Sequence, residues 1–196
     1  MDQDSSALER AGDPTEALML SPVRTSGRIK STGVLLLLLG FWGALVPFVG
    51  PTFGYDMGGA SAWTWSESHA SLHLAPGLAA ILGGALLLGG GKRATQTFGA
   101  GIATLGGIWF VIGPSLHPLW AGQSMGGMIH MGETALSSAL SALGYHYGTG
   151  AAISVVGAYA LGVLVASGGA AADVDRTTSQ ADRRTAPEPS LVDASR

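Results

Sequence analysis

Two stretches of the chain decide its fold: "GFWGALVPFVGP" at residues 40–51 and "GIWFVIGPSLHP" at residues 107–118. In each stretch a Trp is followed by a Pro five residues later and by a second Pro four residues after that. Proline removes a backbone hydrogen-bond donor and restricts the residue before it. The paired prolines therefore predict that an apolar helix ends at the same place twice.

Around these stretches lie four uncharged runs, at residues 33–50, 72–91, 98–119 and 148–170. A helix needs roughly 20 apolar residues to cross the ~30 Å hydrocarbon core of a bilayer. Only 12% of the 196 residues are charged, whereas a soluble domain carries about 25%. The sequence therefore predicts an all-α membrane protein with four transmembrane helices. A cleaved signal peptide is the competing interpretation of the first run, but no A-x-A-like site follows it, so an uncleaved helix is favoured.

The two halves of the membrane region repeat each other. Trp42, Pro47 and Pro51 match Trp109, Pro114 and Pro118 at identical spacing. His73 and Gly77 match His146 and Gly150 at a second, larger offset, because the outer loop of the second half is longer. Both halves run out and back in the same sense, which predicts two parallel-repeat helical hairpins related by a pseudo-two-fold axis along the membrane normal. We expect hairpins at residues 33–91 and 98–172, the second with an interfacial amphipathic helix near 134–147.

The remaining segments, residues 1–32 and 173–196, have the polar composition of disordered tails. All ten Lys and Arg residues lie in these tails or at Lys92 and Arg93, between the second and third runs. Because positively charged segments stay in the cytoplasm, this distribution predicts a multi-pass protein of the cell (inner) membrane with both termini cytoplasmic.

A Gly-x-Trp start, a Pro about five residues later, a loop and a glycine-containing second span, given twice, resemble the SPW-repeat membrane proteins of bacteria. The resemblance covers residues 33–167. This chain has Val46-Pro47-Phe48 and Gly113-Pro114-Ser115 where the family has Ser-Pro-Trp. The resemblance implies a four-span fold and no defined activity.

The histidines are the strongest candidates for a functional site, and all of them lie on the predicted outer side. His69 and His73 are spaced i, i+4, and His130 and Glu133 i, i+3, so each pair could bind a divalent metal ion from one helical face. His73 and His146 are repeat-equivalent and could ligate a haem axially across the bundle. The alternatives are side chains satisfied by water at the polar ends of the spans, and pH sensing.

Other functional classes find little support. The chain has no Cys, no P-loop, no Ser/His/Asp signature, and no acidic residue within a predicted span. We therefore predict no enzyme, no cofactor as the first expectation, and no nucleic-acid binding. The expected role is that of a structural or interaction component, whose partners are the lipid bilayer and other membrane proteins or a second copy. A channel would require oligomerisation.

Overall fold

The structure, a computed structural model, describes residues 22–56, 61–121 and 134–185, and all secondary structure in those residues is helical. Its helices are α1 (Pro22–Val49), α2 (Ala75–Leu88), α3 (Arg93–Leu116), α4 (Ala135–Ala142) and α5 (Gly148–Thr185). Single helical turns occupy Glu67–His69 and Pro118–Ala121, and a 3₁₀ turn occupies Gly50–Phe53. Two π-helical turns, Ala70–Leu74 and Leu143–Tyr147, lead directly into α2 and α5.

Four continuous helical segments are long and apolar enough to cross a membrane: Ser26–Phe53, Glu67–Leu88, Arg93–Leu116 and Leu136–Gln180. The prediction of an all-α chain with four such helices is confirmed, and these helices suggest a multi-pass membrane protein in contact with lipid. The fourth segment includes α4, which continues through the second π turn into α5 without a break. The interfacial position predicted for residues 134–147 stays a prediction.

Both terminal helices are longer than the sequence predicted. α1 begins at Pro22 and α5 continues to Thr185, so residues 22–32 and 173–185 are helical where we expected disordered tails. The physical reason is that the costly nucleation of each helix has already occurred in the apolar span, and adding further residues then costs little. Residues 1–21 and 186–196 lie outside the described residues.

The helices form a closed four-helix bundle in which α1 packs on α2, α2 on α3, α3 on α5, and α5 on α1. Its centre consists of side chains with no exposed surface, among them Leu36, Ala80, Phe110 and Ile153. The connection between α2 and α3 is short, as is typical of antiparallel neighbours. The turn from α2 to α3 needs only residues 89–92 because Gly90 (φ +59°) and Gly91 (φ +152°) adopt backbone conformations that other residues rarely reach.

Glycines bring α1 and α2 into close contact. A methyl group added at Gly40 would lie 2.9 Å from the carbonyl oxygen of Gly77, and one added at Gly84 would lie 2.7 Å from the carbonyl oxygen of Gly33. Small residues at such positions let helix backbones approach where lipid provides no hydrophobic force between helices. The first pair of helices is therefore held by backbone proximity.

Glycines also bring α3 and α5 into close contact. A methyl group at Gly107 would lie 2.7 Å from the Gly150 carbonyl oxygen, and one at Gly157 would lie 3.0 Å from the Thr104 backbone nitrogen. Gly162 differs, because an added methyl group there meets no atom within 4 Å. Not every glycine in the spans therefore serves helix packing.

The three segments that carry the basic residues meet at one end of the bundle. Gly33, near the start of the α1 span, adjoins Leu88 at the end of α2. The Arg93 guanidinium lies 3.4 Å from the Val165 carbonyl oxygen and 3.3 Å from Ser167 Oγ in α5, and donates to both. The histidines of the described residues lie at the opposite end, where α1 and α3 finish two residues after Pro47 and Pro114.

Candidate functional site

The strongest candidate site is a pair of histidines inside the bundle. His73 is 4% exposed and His146 is 2% exposed. Their ring centroids are 4.4 Å apart, with the ring planes inclined at 38°. The repeat places these two residues at one depth in the sequence analysis, and the structure brings their rings together in the interior of the bundle.

Each histidine occupies the fourth position of a π turn. In the first turn the Ala75 N–H donates to the Ala70 carbonyl, and in the second the Gly148 N–H donates to the Leu143 carbonyl, each over five residues. A π turn inserts one residue into a helix and rotates the side chains around it, and such turns are frequent at functional sites. The π turns therefore determine where both imidazoles point.

Two tryptophans connect these π turns to the opposite half of the bundle. The indole Nε1 of Trp42 in α1 donates to the Gly144 carbonyl oxygen at 3.0 Å. The indole Nε1 of Trp109 in α3 donates to the Ser71 carbonyl oxygen at 2.9 Å. The equivalent positions of the two tryptophans in the repeat were the signal in the sequence that they share a type of partner.

Aromatic rings surround the histidine pair. Phe110 and Tyr145 contact the His73 ring edge-on, at centroid separations of 6.0 and 5.7 Å. His69, one turn earlier on the same helix, lies 6.1 Å from His73, and its Nδ1 is 2.8 Å from the Thr64 carbonyl oxygen. Since His69 is only partly buried, three imidazoles lead from the protein surface into the bundle.

The buried imidazoles retain polar atoms without partners. Nδ1 of His73 and Nδ1 of His146 have no hydrogen-bond partner among the described residues. An unsatisfied buried polar atom costs about 1–3 kcal/mol and in a native protein calls for an explanation such as a bound ion or water.

A hydrogen-bonded cap covers the site on the side of residues 54–56. The Tyr145 hydroxyl donates to the Tyr55 carbonyl oxygen at 2.7 Å, and the Tyr55 hydroxyl donates to the Leu140 carbonyl oxygen at 2.9 Å. Burial raises the pKa of Tyr55 above its ordinary value of 10.0, opposed by a hydrogen bond with the Gly144 backbone. The Tyr55 phenol therefore stays protonated and remains a donor at neutral pH.

The other predicted ligands do not join this cluster. His130 and Glu133 lie outside the described residues. His117 is 5% exposed and contacts Trp120 edge-on, and neither of its ring nitrogens has a hydrogen-bond partner in the part of the chain that the structure describes. No group of three or more His, Asp or Glu side chains suited to a metal ion occurs within residues 22–56, 61–121 and 134–185.

The spacing of the pair bears on the haem hypothesis. Two imidazoles that bind one metal ion from opposite sides place their ring centroids ~6 Å apart, because each metal–nitrogen bond is ~2 Å long. The observed separation of 4.4 Å is too short for an iron and its porphyrin between the rings. Axial haem ligation by His73 and His146 therefore does not fit this arrangement.

Comparison of the chain with protein-family models, curated proteins and solved structures finds no match. The resemblance to the SPW-repeat proteins stays a prediction.

Proposed function

We propose that this chain is a multi-pass protein of the cell (inner) membrane, built from a duplicated helical hairpin, that acts as a structural or interaction component and not as an enzyme. Both termini face the cytoplasm. The orientation rests on the bundle end where Arg93 contacts α5, because Lys and Arg residues cluster at that end and positively charged segments stay in the cytoplasm.

The duplication is supported by contacts that recur between equivalent residues of the two halves. Gly40 faces Gly77 in the first half. The equivalent residues of the second half, Gly107 (67 residues after Gly40) and Gly150 (73 residues after Gly77), also face each other. The indole bonds follow the same correspondence, since each half supplies one tryptophan donor and one π-turn carbonyl acceptor. One two-fold rotation that relates the two halves accounts for all of these contacts.

The observation that carries the interaction role is the length of α5. This helix contains 38 residues, which at ~1.5 Å per residue amounts to about 57 Å, nearly twice the ~30 Å hydrocarbon core. Residues 176–180 in its distal part are exposed. A partner that packs against these exposed side chains would stabilise the extension in its helical form. We assign the distal part of α5 as the binding element for another membrane protein at the cytoplasmic face.

Site-specific photo-crosslinking in intact cells tests this role. A photoreactive residue at Ser179 in the distal part of α5 should give one discrete adduct with a second protein. The matched control is the same residue at Val155, which is 68% exposed on the apolar part of the same helix and should crosslink to lipid. An adduct of twice the chain mass would identify a second copy as the partner. Equal, diffuse labelling at both positions would overturn the interaction role.

A further inference from the structure

The buried histidine pair offers two ring nitrogens that could bind a metal ion. His73 and His146 come from different helices, and their ring centroids are 4.4 Å apart. Each ring keeps an Nδ1 atom without a hydrogen-bond partner among the described residues. A buried polar atom without a partner calls for an explanation such as a bound ion or water.

From these observations we propose that His73 and His146 bind one divalent first-row transition-metal ion through their Nδ1 atoms. This site goes beyond the interaction role proposed above. At the ~110° ligand angle of a tetrahedral ion, two imidazole centroids lie about 5 Å apart, close to the observed 4.4 Å. The two rings therefore need to move apart only slightly to bind one ion between them.

The ligand atoms determine which class of metal ion can bind. Imidazole nitrogen suits Zn²⁺, Cu²⁺ and Ni²⁺, whereas Mg²⁺ and Ca²⁺ require oxygen ligands. Among the described residues the site has two protein ligands, so the remaining coordination positions are open to water or to a small ligand. His69 stands between the pair and the surface, 6.1 Å from His73, and provides an imidazole on the path by which the ion enters.

Cu²⁺ titration of the full-length chain, purified in mild detergent and stripped of metal, tests the site. Electron paramagnetic resonance should show one bound Cu²⁺ per chain with coupling to two nitrogens. The substitutions His73→Gln and His146→Gln should each weaken binding by more than the ~10- to 100-fold that follows when only a hydrogen-bond partner of a ligand is removed, and should leave coupling to one nitrogen. Mg²⁺ should not compete.

His117→Gln is the matched control, because His117 is another buried histidine with unpartnered nitrogens, and it should leave binding unchanged. Loss of Cu²⁺ in His117→Gln or in His130→Gln, with binding retained in His73→Gln, would place the metal elsewhere and overturn the proposal.

A second measurement does not depend on how the variants fold. An ion that binds the folded state alone raises the melting temperature, so Zn²⁺ should raise that of the unmodified chain. An unchanged melting temperature, together with no nitrogen-coupled Cu²⁺ signal, would also overturn the proposal.

Discussion

The indole nitrogen of Trp42 lies 3.0 Å from the carbonyl oxygen of Gly144, a residue 102 positions later in the chain. The bond ties α1 to the π turn that carries His146. Its counterpart ties Trp109 in α3 to Ser71 in the other π turn. The histidine pair is thus positioned by donors from the opposite half of the bundle, and this arrangement can be tested by substitution.

Trp42→Phe and Trp109→Phe should each destabilise the folded chain by about 1 kcal/mol, the net contribution of one hydrogen bond. Phenylalanine keeps the aromatic contact and removes the donor. Thermal unfolding in detergent measures the loss, and Trp65→Phe is the control because Trp65 is 66% exposed. Equal melting temperatures for the Trp65 and Trp42 variants would contradict a role for the bond.

Gly40→Ala should destabilise the bundle by roughly 1–3 kcal/mol, since the new methyl group would lie 2.9 Å from the Gly77 carbonyl oxygen and the helices must separate. Gly162→Ala is the matched control within a span: its methyl group meets nothing within 4 Å, and alanine is the better helix former by up to ~1 kcal/mol. Opposite signs of the two shifts in unfolding free energy are expected. A neutral Gly40→Ala would show that the close contact between α1 and α2 is unimportant.

Tyr55 should make stability fall at alkaline pH. Its pKa is raised in the folded chain by burial, so the unfolded state loses its proton first. The stabilisation is complete below the unfolded value of about 10 and is lost as pH rises through the folded value. Melting temperature measured from neutral pH upward should decline less steeply in Tyr55→Phe than in the unmodified chain. Parallel declines would contradict the raised pKa.

Topology can be mapped with single cysteines because the chain has none of its own. Cysteines at Ser5, Thr95 and Ser190 should resist an impermeant thiol reagent in intact cells, since all three segments are assigned to the cytoplasm. A cysteine at Ser61 should react. Labelling of Thr95→Cys without lysis would reverse the orientation.

The fold was legible in the sequence because membrane spans impose a length and a composition that few other structures share. Four uncharged runs, three glycines between Leu88 and Lys92, and paired prolines were sufficient. The helical extensions at residues 22–32 and 173–185 were missed, since polar composition does not distinguish a disordered tail from a helix continued out of a span.

The sequence predicted only part of the candidate site. The repeat identified His73 and His146 as equivalent residues, but their burial depends on the π turns, which have no signal in hydrophobic periodicity. Pro76 is the one local hint, because it withholds a backbone donor from the preceding turn. The indole bonds of Trp42 and Trp109 were hidden for another reason: a tryptophan near a span end suits a headgroup anchor equally well.

The crossed indole bonds have a consequence for each hairpin taken alone. The first hairpin contains a donor, the Trp42 indole, and an acceptor, the Ser71 carbonyl. In the intact chain both of these groups form their hydrogen bonds with the second hairpin. A lone copy would leave the Ser71 carbonyl without its indole donor, at a cost of about 1 kcal/mol. Two copies of that hairpin hold the same donors and acceptors as the whole protein and could satisfy each other across a two-fold axis. The single chain thus has the hydrogen-bonding pattern of a symmetric dimer whose subunits have been joined.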